Sequence, residues 1–135
     1  MNAKPEPGNP TPKGRAARSI LRALNVNSSD IEASAIITRD GHIIGAVLAE
    51  NTDEGRFAAM CASLLALAER AASEISRGHM RQLLIEGTQG LMLLVGVGDD
   101  KVLAVAAKPT VNLGRVFLEA RRCAEKIDQV IGDLS

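Results

Sequence analysis

The sequence predicts an α+β sandwich of three layers: a five-stranded, mainly antiparallel sheet with one long helix on one face and two terminal helices on the other. Three observations predict this fold class. Helical periodicity occurs at both ends and in the middle of the chain, an Asp-Gly pair separates two β-branched runs, and three further apolar runs are divided by short reversals. The resulting order is α-β-β-α-β-β-β-α, in which short connections join antiparallel neighbours.

The N-terminal segment, residues 1–14, contains four prolines and no large apolar residue after Met1. Such a composition cannot bury enough apolar surface to order itself, so we expect a disordered Pro-rich tail before one domain at 15–135. Binding of an SH3-like partner through the prolines is the alternative interpretation of the tail. From Arg15 onward, one helix face is predicted by the spacing of Ala17, Ile20, Leu21 and Leu24.

The first two strands are predicted in the segment EASAIITRDGHIIGAVLAE, residues 32–50. Apolar, β-branched runs lie on either side of Arg39-Asp40-Gly41. Because Asp-Gly accepts the positive φ angles of a tight primed turn, this segment is predicted to be a β-hairpin.

A long helix is predicted from about Glu54 to Arg77, with an N-cap in residues 51–53 and Gly78 as its left-handed C-terminal cap. At about 100° per residue, its apolar residues cover roughly half of the circumference. Its central stripe consists of Phe57, Cys61, Leu64, Ala68, Ala71 and Ile75, and Met60, Leu65, Leu67 and Ala72 widen it. The far side carries mostly small residues: Ala59, Ser63, Ala66, Arg70 and Ser73. We therefore expect this helix to pack on more than its own sheet.

Three strands and a helix complete the predicted order. The segment from Met80 to Glu86 mixes polar and apolar residues and is predicted to be an edge strand, whereas the next two runs, LMLLVGV and VLAVAA, are apolar throughout, as is typical of central strands. Asn112 is predicted to cap the last helix. Its apolar face consists of Leu113, Val116, Phe117, Ala120, Ala124, Ile127, Ile131 and Leu134.

Charge and composition exclude several function classes. The chain has 16 basic and 16 acidic residues, two Phe and no Trp or Tyr, so we expect neither a nucleic-acid partner nor an anionic membrane surface. No apolar run is long enough to cross a membrane and the N-terminus has no signal-peptide pattern, which favours a cytoplasmic location. Cys61 and Cys123 are predicted to be small buried hydrophobes, because neither belongs to a zinc-binding pattern.

The segment GVGDDK, residues 96–101, is the strongest candidate for a phosphate or metal site. A Walker loop requires GxxxxGK[S/T] before a helix, and here the glycines stand between two strands without a Ser or Thr after Lys101. A solvated hairpin tip is the favoured interpretation, with Gly96 inside the strand where a bulge or close packing would require it. We expect no catalytic, cofactor-binding or metal-binding residues and no small-molecule substrate; a nucleotide-dependent activity at this loop is the enzymatic alternative.

Four segments in succession resemble the roadblock / dynein light chain family. They are AIITRDGHIIGAVL, DEGRFAAMCASLLALAERAASEI, LLIEGTQGLMLLVGVGDDKVLAVAA and NLGRVFLEARRCAEKI. The resemblance covers about Ile31 to Ile127. It is closest to prokaryotic members similar to the gliding-motility regulator that activates a Ras-like GTPase, and it implies a profilin-like fold.

The resemblance also implies an assembly and a partner. Relatives form homodimers in which one sheet edge pairs with its copy and the long middle helices meet, and they act as platforms for Ras-like small GTPases. Carried onto this chain, the dimer interface consists of Met80, Gln82, Leu83, Leu84, Ile85 and Glu86. The partner-facing side of the helix consists of Ala59, Ser63, Ala66, Arg70 and Ser73, although Arg70 also fits a merely solvated charge.

Two functions follow from the resemblance. One is a homodimeric adaptor or regulator that binds a Ras-like GTPase and modulates GTP hydrolysis without an active site of its own. The other is a purely structural dimerisation scaffold in a motility, polarity or signalling complex.

Overall fold

The computed structural model describes residues 11–109 and 112–132. Within them the chain forms, in order, α1 (Pro12–Asn27), β1 (Ile31–Thr38), β2 (Ile43–Val47), α2 (Glu54–Glu74), β3 (Gln82–Gly87), β4 (Gly90–Val97), β5 (Lys101–Ala107) and α3 (Leu113–Ile131). The predicted order of helices and strands is confirmed.

The five strands form one sheet in the order β2-β1-β5-β4-β3, and every neighbouring pair is antiparallel. β5 lies at the centre and is buried along almost its whole length. The predicted central position of the two apolar strands, β4 and β5, is confirmed, and so is the edge position of β3.

Helices cover the two faces of the sheet unequally. α1 and α3 pack on one face, where the core contains Leu21, Leu93, Leu103 and Ile127. α2 packs on the other face, where the core contains Cys61, Leu65, Ile37, Leu94 and Val102. The expected sandwich is therefore confirmed, with two terminal helices opposite one long helix.

α1 begins at Pro12, three residues before the expected boundary at Arg15. The hydroxyl of Thr11 accepts a hydrogen bond from the Gly14 N–H at 3.0 Å, and proline at the first helical position has a φ angle already suited to a helix. Part of the predicted tail is thus helical. Residues 1–10 lie outside the described residues.

The β1–β2 connection is a turn at the predicted place but of another type. Among the described non-glycine residues a positive φ occurs at Ser76 alone, so Asp40 does not adopt the primed conformation. Gly41 has φ +94°, its N–H donates to the Thr38 carbonyl, and the Thr38 N–H donates to the His42 carbonyl. This pattern is a type I turn followed by a glycine bulge, which suits a three-residue loop better than a primed turn does.

α2 ends earlier than predicted. It stops at Glu74 rather than Arg77, and Ser76, with φ +57°, takes the left-handed position that caps the helix. Gly78 is also left-handed, with φ +81°, but lies two residues beyond this cap. The Arg77 N–H donates to the Ala72 carbonyl at 2.8 Å and the Ser76 N–H donates to the Ser73 carbonyl at 3.0 Å. These two bonds form a Schellman motif, which satisfies carbonyls of the last turn and closes the helix.

Candidate interaction surface

α2 buries a narrower face than its apolar arc suggested. Its buried residues are Ala58, Cys61 and Leu65, whereas Ala71 and Ile75 of the predicted central stripe are exposed. The buried face is therefore rotated from the predicted stripe by roughly 60° around the helix axis. One helix on one sheet buries only part of its circumference, so the remaining apolar residues face outward.

Four of those outward residues and the half-buried Leu64, which also packs against the α2-side core, form a continuous line. We call this line the apolar stripe: Met60, Leu64, Leu67, Ala71 and Ile75. Successive members of the stripe are four, three, four and four residues apart. Such a mixture of steps of three and four is typical of helices that pack along another helix. The exposed fraction is 46% for Met60 and 64% for both Leu67 and Ile75. Exposed apolar residues that are contiguous in this way mark an interaction surface.

A second exposed side of α2 carries the residues predicted to face a partner, which we call the small-residue face: Ala59, Ser63, Ala66, Arg70 and Ser73. All five are exposed. At about 100° per residue this face is centred roughly 120° from the apolar stripe. The Ser63 hydroxyl donates to the Ala59 carbonyl within the helix, and Arg70 has no ion pair among the described residues.

β3 presents an unpaired edge of the sheet. The Gly96 N–H of β4 donates to the Arg81 carbonyl, so by antiparallel alternation Leu83 and Ile85 also direct their backbone groups toward β4. The backbone N–H and C=O groups of the alternate residues therefore point away from the sheet: Gln82, Leu84 and Glu86.

The side chains of β3 are distributed over both faces. Leu83 packs against the α2-side core and Ile85 lies opposite Met92 on that same side. Leu84 lies on the α3 side, and the exposed fractions of Leu84 and Ile85 are 37% and 40%. Met80 differs from the other predicted interface residues, because it is 9% exposed and belongs to the core before β3 begins.

Glu69 fixes α2 to the start of β3, a role that sequence reasoning missed. One oxygen of its carboxylate accepts the Met80 N–H at 2.9 Å and lies 3.8 Å from the Arg39 guanidinium. The other oxygen lies 3.5 Å from Nδ1 of His79. Because Arg39 belongs to the β1–β2 turn, this cluster joins three parts of the chain and sets where the β3 edge stands relative to α2.

The 96–101 segment is the β4–β5 hairpin tip, as the favoured interpretation predicted. Gly98 has φ +57°, and a Cβ atom there would lie 2.8 Å from a carboxylate oxygen of Asp128. The acidic side chain of Asp128 thus stands where a phosphate would need positive charge. Lys101 is buried and its ammonium donates to the Asp100 carboxylate at 2.8 Å.

Gly96 requires neither of the explanations that the sequence suggested. β4 pairs with β5 in regular register through Gly96 and Val102, without a bulge. An added Cβ at Gly96 would lie 3.7 Å from the Arg81 carbonyl oxygen and 3.9 Å from the Arg39 guanidinium, which are ordinary contact distances. Close packing therefore does not demand glycine at this position.

Among the described residues, the groups with shifted pKa values lie apart from one another and do not assemble a reactive centre. Burial raises the pKa of the Cys61 and Cys123 thiols to about 11, which suppresses the reactive thiolate, and the predicted burial of both cysteines is confirmed. Hydrogen bonds from Thr38 and His42 lower the pKa of the Asp40 carboxyl, a local contact of the turn. Among residues 11–109 and 112–132, no group of three or more His, Cys, Asp or Glu side chains could hold a metal ion.

None of the helices in the described residues has the length and apolar character needed to cross a membrane.

Known proteins resemble this chain both in sequence and in fold. The sequence profile of the Roadblock/LC7 domain matches residues 20–107. An uncharacterised protein of Methanocaldococcus jannaschii is 35% identical over 108 residues, which cover 80% of this chain and 93% of that protein.

Two solved structures share the fold at low sequence identity. The MglB protein of Myxococcus xanthus has a TM-score of 0.84 at 17% identity, covering 93% of this chain and 94% of that one. The gliding protein MglB of Thermus thermophilus has a TM-score of 0.79 at 16% identity, covering 97% and 99% of the two chains. The profile match and the archaeal relative together establish the family: this chain belongs to the Roadblock/LC7 family.

Proposed function

We propose that this chain is a cytoplasmic, homodimeric adaptor that binds a Ras-like small GTPase and modulates its GTP hydrolysis without an active site of its own. The observation that carries the proposal is the coexistence of a free β3 edge and an exposed apolar stripe on the neighbouring α2. One copy of the chain leaves both surfaces without a partner among the described residues.

Two unsatisfied surfaces support the proposed dimer: the free edge of β3 and the apolar stripe of α2. The outward N–H and C=O groups of β3 need hydrogen-bond partners, and an edge strand finds them in another strand. The apolar stripe loses contact with water when a second helix lies along it. A two-fold arrangement meets both needs with one and the same surface, because each copy offers what the other lacks.

We infer the GTPase partner from the family to which this chain belongs and not from a catalytic group of the chain. The resemblance implies a platform for Ras-like GTPases, and the small-residue face offers a place where another backbone can approach closely. Arg70 is the basic residue on that face. The resemblance implies that any acceleration of hydrolysis comes from repositioning the GTPase's own groups, so we assign Arg70 a docking role and not that of an arginine finger.

Light scattering and a nucleotide-dependent pull-down test this proposal. We expect a dimer at micromolar concentration, conversion to monomer by Leu84→Glu, and capture of a Ras-like GTPase loaded with a GTP analogue in preference to GDP. Arg70→Ala should weaken capture while the dimer persists, and Arg122→Ala, an exposed charge on α3, serves as the matched control. A wild-type monomer, or capture that ignores the nucleotide, would count against the proposal.

A structural scaffold is the second candidate. It is favoured by the balance of 16 basic and 16 acidic residues, which gives no net charge to recruit a partner over a distance. A GTP hydrolysis assay with the captured GTPase separates the two functions. Binding with an unchanged hydrolysis rate and no nucleotide preference supports the scaffold.

A further inference from the structure

We infer that two copies of this chain pair through β3 in one particular register, centred on Leu84, in which Glu86 of each copy meets Arg121 of the other. This inference rests on the proposed dimer and adds its geometry. It follows from three independent features of the described residues: the direction of the β3 backbone groups, the charges on the strand, and a hydrogen bond between α3 and β3.

The backbone limits the registers available. Only Gln82, Leu84 and Glu86 direct their N–H and C=O groups outward, so a two-fold antiparallel pairing must match these residues with one another. Centring the pair on Leu84 matches all three, with Gln82 opposite Glu86 of the other copy. Since each matched pair exchanges two bonds, this register forms six hydrogen bonds.

Registers displaced by one position are poorer. A pair centred on Ile85 matches only Leu84 with Glu86 and directs Gln82 to the turn residue Thr88. A pair centred on Leu83 directs Glu86 to residue 80, whose N–H is already bound to the Glu69 carboxylate at 2.9 Å. Both displaced registers leave four regular bonds instead of six.

Charge favours the same register. With Ile85 at the centre, the two Glu86 side chains become diagonal neighbours roughly 7–8 Å apart, where like charges repel. With Leu84 at the centre, each Glu86 lies opposite Gln82 of the other copy. The Arg121 guanidinium donates to the Gln82 side-chain oxygen at 3.2 Å, so it stands beside the incoming carboxylate.

The apolar side chains are self-complementary too. On the α2 side of the sheet this register places Leu83 opposite Ile85 of the other copy, twice. On the α3 side it places the two Leu84 side chains opposite each other. The strand surface of each copy therefore meets a chemically matching one, which identifies the occupant of the β3 edge as a second copy of this chain.

Cysteine cross-linking reports the register directly. Leu83 and Ile85 form non-hydrogen-bonded pairs in every candidate register, where Cα atoms about 4.5 Å apart suit a disulfide. We expect a covalent dimer when Leu83→Cys and Ile85→Cys proteins are mixed and oxidised, and little when either is oxidised alone. Cross-linking of Ile85→Cys alone, or of Leu83→Cys alone, would overturn the register in favour of a displaced one. The wild-type chain is the control, since Cys61 and Cys123 are buried.

A charge exchange tests the ion pair and does not depend on cysteine chemistry. Glu86→Lys should raise the dimer dissociation constant roughly three- to tenfold, because it places a lysine beside Arg121. Adding Arg121→Glu should restore the wild-type constant, whereas adding Arg122→Glu, a neighbour on α3, should not. Equal constants for the two double variants would overturn the pairing of Glu86 with Arg121.

These outcomes are separable from those of the proposed function. A wild-type monomer in light scattering removes the dimer itself. A wild-type dimer with another cross-linking pattern, or with none, removes only the register, and GTPase capture by the wild-type protein is measured independently of both.

Discussion

Truncation of Leu67 to alanine measures how much the apolar stripe contributes to assembly. Leu67 is 64% exposed in one copy of the chain. Full burial of a leucine side chain contributes about 1.5–3 kcal/mol, so covering the exposed part contributes about 1–2 kcal/mol per copy. A symmetric dimer loses this twice, about 2–4 kcal/mol in all. The dissociation constant should therefore rise roughly 30- to 700-fold.

Sedimentation equilibrium over a dilution series provides the assay, because the constant is then read from mass and not from unfolding. Alanine keeps the helix propensity of position 67, so far-UV circular dichroism should remain that of the wild type. Val26→Ala is the matched control: Val26 is 82% exposed at the end of α1, on the other side of the sheet. An unchanged constant for a folded Leu67→Ala protein would refute the placement of the stripe in the interface.

Three further predictions concern the fold that holds these surfaces. Gly45→Ala should lower the free energy of unfolding by roughly 1–3 kcal/mol in urea titrations, because a Cβ atom there would lie 2.8 Å from the Ala17 Cβ and force α1 away from β2. Ser76→Gly should raise the free energy of unfolding by up to about 1 kcal/mol, because serine is strained at φ +57° and glycine is not. Asp100→Asn should destabilise the protein by about 1 kcal/mol at neutral pH, because it removes the carboxylate that accepts from the buried Lys101. That hydrogen bond lowers the pKa of Asp100 below 3.8, so its stabilisation is present above this value and is lost as the pH falls through the lower native pKa. The difference in thermal unfolding between Asp100→Asn and wild type should therefore shrink in acid, and a difference that grows toward low pH would contradict the pairing.

Sequence periodicity predicted the helices and strands because the patterns that indicate them involve residues close together in the chain. The spacing of Leu21 and Leu24 in α1, the apolar runs of β4 and β5, and the Asn112 cap all depend on residues close together in the chain. The mixed polarity of β3 likewise indicated an edge strand, since only one side of such a strand has a neighbour. The resemblance to the roadblock family then added the assembly, which no local pattern contains.

The corrections arise where the outcome depends on distant parts of the chain or on details of backbone geometry. The width of the apolar arc on α2 can be predicted from the sequence, but which part of the arc the sheet covers depends on how the helix docks. The periodicity therefore did not show that Ile75 faces away from the core. The Glu69 contacts join α2 to Arg39, far away in sequence, through a carboxylate that looks like an ordinary helix charge. Turn chemistry misled twice, because Asp-Gly fits a glycine bulge as well as a primed turn, and because Ser76 adopts a conformation usually taken by glycine.

The three sides of α2 offer separate surfaces for the two proposed partners, the second copy of the chain and the GTPase. One side is buried in the chain's own core, the apolar stripe is centred roughly 100° away, and the small-residue face lies roughly 120° beyond the stripe. In the proposed dimer the stripe is covered by the second copy, and the small-residue face stays outside that contact. The proposed docking of a GTPase at Arg70 is therefore expected not to compete with the proposed dimerisation. Because the net charge of the chain is zero, we expect the rate of association with the proposed GTPase to respond only weakly to salt.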